Sequence, residues 1–164
     1  MTKFPLPEAY RGKTLGIDTM VFIYHIEDRR PFVSFTFPLF EAIEQGTLQA
    51  VASYLTLMEV LVKPKREGND HLARRYQSLL EAFPHLKIHP LGKREAEAAS
   101  ELRARYPALR PPDAIVLGTA IAHKAQAFLT NDPHFKTADP EIKILMLEEF
   151  LDGVFCPTPR KGIF

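Results

Sequence analysis

Thr14-Leu15-Gly16-Ile17-Asp18-Thr19-Met20-Val21-Phe22-Ile23 is the stretch that decides how this chain folds. Thr14 to Ile17 is a short apolar run with the length of a strand. At Asp18 an apolar helix begins and continues to about Ile26, where Glu27-Asp28-Arg29-Arg30-Pro31 breaks it. Asp is a good helix N-cap, because its side-chain oxygen takes up an amide that the first turn leaves unpaired. A strand that passes through one acid into a helix is the building unit of a parallel sheet with helical crossovers.

The same alternation repeats outward from this unit. A helix is expected over Phe37–Gln45, with Gly46 in the C′ position, then a strand over Leu48–Ser53. A helix carrying Glu59 follows and is expected to stop before Pro64, since the residue before proline disfavours helix. Leu72, Tyr76, Leu79, Leu80 and Phe83 have helical spacing within Asn69–Phe83. Leu86–His89 reads as a strand and Lys93–Tyr106 as an Ala-rich helix. Pro111-Pro112 opens another helix at about Asp113, proline being favoured in a first turn. Ala127–Thr130 and Ile142–Leu147 read as the last strands. The expectation is an α/β fold: a mainly parallel central sheet with helices on both faces, over residues 14–150. Residues 1–13 form an N-terminal extension and 151–164 a loose tail.

Four acids stand out in this frame: Asp18, Glu59 in Leu57-Met58-Glu59-Val60, Asp113 in Pro111-Pro112-Asp113-Ala114, and Asp132 in Thr130-Asn131-Asp132-Pro133. Three of them read as the junction where an apolar segment meets a helix. In a parallel sheet those junctions lie along one edge. Each acid also has a local explanation: Asp18 as a cap, Thr56-x-x-Glu59 as a capping box, Asp113 in a first turn where the helix dipole favours it, and Asp132 as a turn residue. The functional argument rests on the set. Two carboxylates about 5 Å apart repel by about 3 kcal/mol at an effective dielectric near 20, so a cluster calls for a cation. Oxygen donors without Cys or His suit Mg²⁺ or Mn²⁺. Such an ion lowers the pKa of a water and neutralises charge on a phosphate, which points to phosphodiester chemistry. Thr19, Ser53, Thr130 and Asn131 are the nearby groups able to support the carboxylates.

Composition narrows the classes. The chain has 164 residues, 46% hydrophobic and 25% charged, an ordinary single-domain composition. Its one cysteine, Cys156, allows no intrachain disulfide and fits a reducing cytosol. Met1–Lys13 lacks the apolar core of a signal peptide, so a cytoplasmic protein is expected. The net charge of +1 excludes binding to nucleic acid by bulk charge. Basic residues do cluster, at Lys63, Lys65 and Arg66, at Arg74 and Arg75, and at Arg103, Arg105 and Arg110, of which at least one is expected to face the acids and hold phosphate. His25, His71, His85, His89, His123 and His134 show no zinc spacing, and there is no nucleophile elbow or P-loop.

With these residues in place, the chain resembles the PIN-domain family and, within it, the VapC-type toxins. The resemblance is carried by Ile17-Asp18-Thr19 with Val21-Phe22-Ile23, by Ser53-x-Leu55-Thr56-x-x-Glu59-Val60, by Asp113-Ala114-Ile115-Val116 with Thr119-Ala120, and by Leu129-Thr130-Asn131-Asp132 with Phe135. It implies a PIN fold, Mg²⁺- or Mn²⁺-dependent endoribonuclease activity on RNA, a homodimer and a small antitoxin protein. Asp18, Glu59, Asp113 and Asp132 become the catalytic and metal-binding quartet, supported by Thr19, Thr130 and Asn131. Met20 stands where many members have a small residue, and His134 where many have a further acid. The alternatives are a PIN nuclease of RNA processing and a non-catalytic PIN-like binding module, against which the intact quartet argues. A dehalogenase-like phosphatase expects a second Asp where Met20 stands, and a phosphotransfer receiver expects paired acids and a Lys that cannot be placed. The Phe32, Phe35, Phe37 and Phe40 stretch is read either as core or homodimer packing or as the docking surface for the antitoxin.

Overall fold

A computed structural model describes residues 3–151; the tail after Gly153, Cys156 included, lies outside them. The strands are β1 (Thr14–Ile17), β2 (Gln49–Ser53), β3 (Leu86–His89), β4 (Ala127–Thr130) and β5 (Lys143–Met146). The helices are α1 (Thr19–Ile26), α2 (Val33–Glu44), α3 (Tyr54–Arg66), α4 (Asp70–Ala82), α5 (Lys93–Arg105) and α6 (Pro111–Ala122). The strands form one parallel sheet in the order β3-β2-β1-β4-β5. Gly16 pairs with Val51 on one side and Phe128 on the other.

Strand side chains alternate between the two faces, and the core divides accordingly. Leu15, Ile17, Ala50, Ala52, Ala127 and Leu129 face a layer built from α1, α2, α3 and α4, with Phe22, Phe40, Ile43 and Leu80 at its centre. Val51 and Phe128 face α5 and α6, through Leu102, Leu117 and Ala120. Each fully buried Phe or Leu contributes roughly 1.5–3 kcal/mol. Two glycines let α6 lie close. A methyl group added at Gly16 would collide with Ala120 and Phe128, and one at Gly118 with the backbone of Ala99 on α5. The N-terminal extension also packs: Leu6 is buried in the first layer.

Four expectations need correction. Helix α3 does not stop before Pro64 but includes it and runs to Arg66. Proline removes one backbone donor there, but Pro64 is buried, and its carbonyl accepts the Asn69 amide at 2.8 Å, closing the helix end. Helix α2 starts at Val33 rather than Phe37 and carries Pro38 inside it, also buried. Phe35 and Phe40 are 0% and 1% exposed, with Phe32 half-buried against the same core. The phenylalanine stretch therefore packs the interior and is not an outward docking surface. Finally, the capping box at Thr56–Glu59 does not form, because the helix begins a turn earlier: Ser53 is the cap, its Oγ accepting the Leu55 amide at 3.2 Å.

Candidate metal centre and nucleic-acid site

The C-terminal ends of β1 and β4 are adjacent in the sheet, with Ile17 paired to Leu129. This brings Asp18 next to Thr130 across 112 residues of sequence. Asp18 is 8% exposed. Its Oδ1 accepts the Thr19 amide at 2.8 Å and its Oδ2 accepts the Thr130 hydroxyl at 2.7 Å. Thr130 Oγ1 in turn accepts the Asp132 amide at 3.0 Å, linking the loop that carries the last acid to the first. Burial is the main reason that the Asp18 carboxyl titrates at about 6, and the charges of Glu59 and Asp113 push the same way; the Thr130 hydroxyl and the Thr19 amide oppose them. The charges of Glu59 and Asp113 thus bear directly on Asp18.

Asp113 lies in the first turn of α6, where Pro111 and Pro112 occupy the opening positions. Both its oxygens are held by Arg110, Nε at 2.8 Å from Oδ2 and Nη2 at 3.3 Å from Oδ1. The same Nη2 is 4.0 Å from Asp132 Oδ2. Asp132 Oδ1 accepts the His134 amide at 2.9 Å and faces its ring Nδ1 at 2.7 Å. Burial works against the Asp132 charge, but the His134 hydrogen bonds and the charges of His134 and Arg110 hold its carboxyl below the usual carboxylate range. Glu59 is exposed on α3.

The supporting residues fall into two groups. Thr130 bonds Asp18 directly, and Thr19 does so through its amide. The Thr19 hydroxyl instead donates to Thr56 Oγ1 at 3.1 Å, pinning α1 to α3, a role for Thr56 that its place in the Ser53–Val60 motif does not reveal. Asn131 Oδ1 accepts the Glu148 backbone amide at 3.1 Å, and the Asn131 backbone amide points to Met20 Sδ at 3.2 Å. It shapes the loop rather than engaging a carboxylate. Of the three expected arginines, Arg110 faces the acids. Arg105 pairs with Glu141 at 2.6 Å, and Arg103 Nε donates to the Leu109 carbonyl at 3.2 Å, bracing the approach to α6. His134, two residues after Asp132 and standing where many family members have a further acid, is an Asp132 partner.

A groove of about 480 Å³, lined by none of the four acids, opens between α1, α3 and α4, with Ile23, Val60 and Tyr76 along it and the Lys63–Glu27 pair, 2.9 Å, on its rim. Among the described residues no helix is long and apolar enough to cross a membrane.

The donors of the quartet are all carboxylate oxygens, the hard set that suits a small divalent ion. The buried Asp18, whose carboxyl is raised chiefly by burial and further by the charges of Glu59 and Asp113, is the kind of group such an ion would hold ionised. As the side chains lie, no three described Asp, Glu, His or Cys residues are arranged to hold a metal ion, because Asp113 is turned onto Arg110 and Asp132 onto His134.

The five-stranded parallel sheet with helices on both faces defines an α/β protein, with Asp18 and Asp132 at the C-terminal ends of two adjacent strands. The PIN domain family model matches residues 16–140, and the chain belongs to that family. Metal-dependent ribonuclease activity is general for it. No curated protein matches the chain. Among solved structures it is similar to VapBC2 from Rickettsia felis bound to a DNA fragment from its promoter, at 16% identity and a TM-score of 0.64, covering 81% of this chain and 98% of that one. A toxin–antitoxin complex from Klebsiella pneumoniae aligns at 26% identity and a TM-score of 0.58, covering 82% and 97%. DNA-bound VapBC from Salmonella typhimurium aligns at 20% and 0.59, covering 82% and 98%. The resemblance to a VapC-type PIN domain stands.

Proposed function

We propose that this chain is an Mg²⁺- or Mn²⁺-dependent endoribonuclease, hydrolysing RNA phosphodiester bonds as the toxin of a toxin–antitoxin pair. The observation that carries the reading is Asp18: a buried carboxylate at the end of the central strand, braced by Thr130, with the charges of Glu59 and Asp113 bearing on it. Asp18, Asp113 and Asp132 would hold the ion. When bound, a divalent ion makes a water more acidic and offsets charge developing on the phosphate.

The remaining work falls to the chain itself. Thr130 and the Thr19 amide fix the Asp18 carboxylate, and Thr19 with Thr56 locks α1 against α3. Pro111 and Pro112 fix the backbone that presents Asp113. Glu59, on the exposed side of α3, orients a water or takes its proton on a carboxylate oxygen. The test is cleavage of structured RNAs by the purified protein, free of any partner, with Mg²⁺ or Mn²⁺ and with excess EDTA. Cleavage that persists in EDTA defeats the reading.

The reading includes two protein partners in the cytoplasm. The neighbours from Rickettsia felis, Klebsiella pneumoniae and Salmonella typhimurium are complexes with antitoxins, which supports a small antitoxin here. The groove between α1, α3 and α4 supplies an apolar floor and charged rim for a segment of it. Tyr54, Met58 and Val62 form an exposed apolar stripe at helical spacing on α3, which supports a homodimer. Toxicity on expression alone, with rescue by the neighbouring small gene, checks the pairing. An active but harmless nuclease assigns the chain to RNA processing.

A further inference from the structure

Arg110 is unusual in lying over the acids rather than beside them. It is the residue before α6, and its guanidinium folds back along the first turn to meet both oxygens of Asp113 while reaching towards Asp132. An acid at the third position of a helix commonly reaches back to a backbone amide; here it meets the side chain of the cap residue. Pro111 and Pro112 carry no amide hydrogen, and among the described residues Arg110 is the cation that pairs with Asp113. The two prolines also fix the backbone between Arg110 and Asp113. The fork is therefore built into the local chain. The Arg110 side chain is nonetheless 69% exposed, within reach of an anion arriving from solvent.

Two consequences follow if the acids take a divalent ion, as proposed above. The ion and the guanidinium need the same oxygens, so each weakens the other. A planar guanidinium also binds phosphate bidentately, and an RNA phosphate arriving at the rim offers Arg110 another anion. We infer that Arg110 is a resident cation that occupies Asp113, and reaches towards Asp132, until a substrate phosphate draws it away, so that metal and phosphate bind cooperatively through this one side chain. Such coupling is reciprocal and falls within about 5–150-fold for linked sites.

The experiment measures Mn²⁺ affinity by the loss of the free-ion electron paramagnetic resonance signal and by calorimetry, so it needs no activity. Wild type, Arg110→Ala, Arg110→Lys and Asp18→Asn are titrated with and without uridine 5′-monophosphate, correcting for Mn²⁺ held by the nucleotide. Arg110→Ala is expected to bind Mn²⁺ about tenfold tighter than wild type and to lose the gain that the nucleotide gives wild type. Arg110→Lys, which keeps the charge but not the fork, should fall between them. Equal Mn²⁺ affinity in wild type and Arg110→Ala, with binding abolished by Asp18→Asn, overturns this inference and leaves the metal reading standing. Mn²⁺ binding indifferent to Asp18→Asn overturns both.

Discussion

Thr130 donates its hydroxyl to Asp18 at 2.7 Å, and this one bond joins the first strand of the chain to the fourth at the point where the acids gather. It stabilises the charged form of a carboxylate that burial otherwise disfavours. Thr130→Val keeps the shape and removes the donor. The Asp18 carboxyl should then titrate higher than in wild type, and the acidic limb of the pH–rate profile should move upward with it. An unmoved limb would mean that Asp18 ionisation does not limit activity.

Asp18 also makes stability depend on pH in an unusual direction. Its carboxyl is raised from 3.8 to about 6 on folding. The native state therefore binds more protons than the unfolded state between those values, and stability falls as pH rises through that window. The full effect is on the order of 3 kcal/mol, lost above about pH 6. Asn caps a helix as well as Asp, so Asp18→Asn should melt higher than wild type at pH 7.5 without divalent ions, with little difference at pH 4. Adding Mn²⁺ should raise the melting temperature of wild type but not of the variant. A lower melting temperature for Asp18→Asn at pH 7.5 would leave Asp18 as a structural cap alone.

Asp113→Asn and Asp132→Asn should each lower RNA cleavage by on the order of 10²-fold or more, about 2.7 kcal/mol of barrier. Circular dichroism should show that both remain folded. Full activity in either would remove that residue from the site.

Gly16→Ala tests how α6 carries Asp113. The added methyl meets Ala120 and Phe128, and overpacking of this kind costs about 1–3 kcal/mol. Because α6 must shift to make room, activity should fall at temperatures where the variant is still folded. Denaturant melts and single-turnover cleavage separate the two effects.

Met58→Asp places a charge in the exposed stripe on α3, where Met58 is 53% exposed. Sedimentation should show a monomer with an unchanged melting temperature extrapolated to low concentration. A dimer that survives this change lies on another surface.

The strand–acid–helix units were readable because each is a local pattern: an apolar run of strand length, an acid able to cap, then helical spacing. Asp18, Thr130 and Asp132 come together because the topology is the one those patterns imply. The misreadings share a cause, which is burial that local rules cannot see. Pro38 and Pro64 stop helices in isolation, but here each is packed inside one. The phenylalanines of α2 have no polar face to show which way the helix turns, and Phe35 and Phe40 proved to be interior. Thr56 has the sequence of a cap for α3, and only the backbone shows that Ser53 takes that place. Arg110 stood out no more than Arg103 or Arg105, since an arginine three residues from an acid is common; the fold of the side chain over the turn is what separates it.

The sheet order has a consequence for how the protein is made. Asp18 lies in the opening segment, while the hydroxyl that orients it and the acid beside it arrive with β4 and the loop after it, 112 residues later for the hydroxyl. A growing chain emerging from a ribosome would carry Asp18 and Glu59 long before it carries Thr130 and Asp132, with Asp113 arriving shortly ahead of them. Non-local pairing of this kind forms late because loop closure must precede its reward. The centre is therefore incomplete until β4 and the loop after it have joined the sheet.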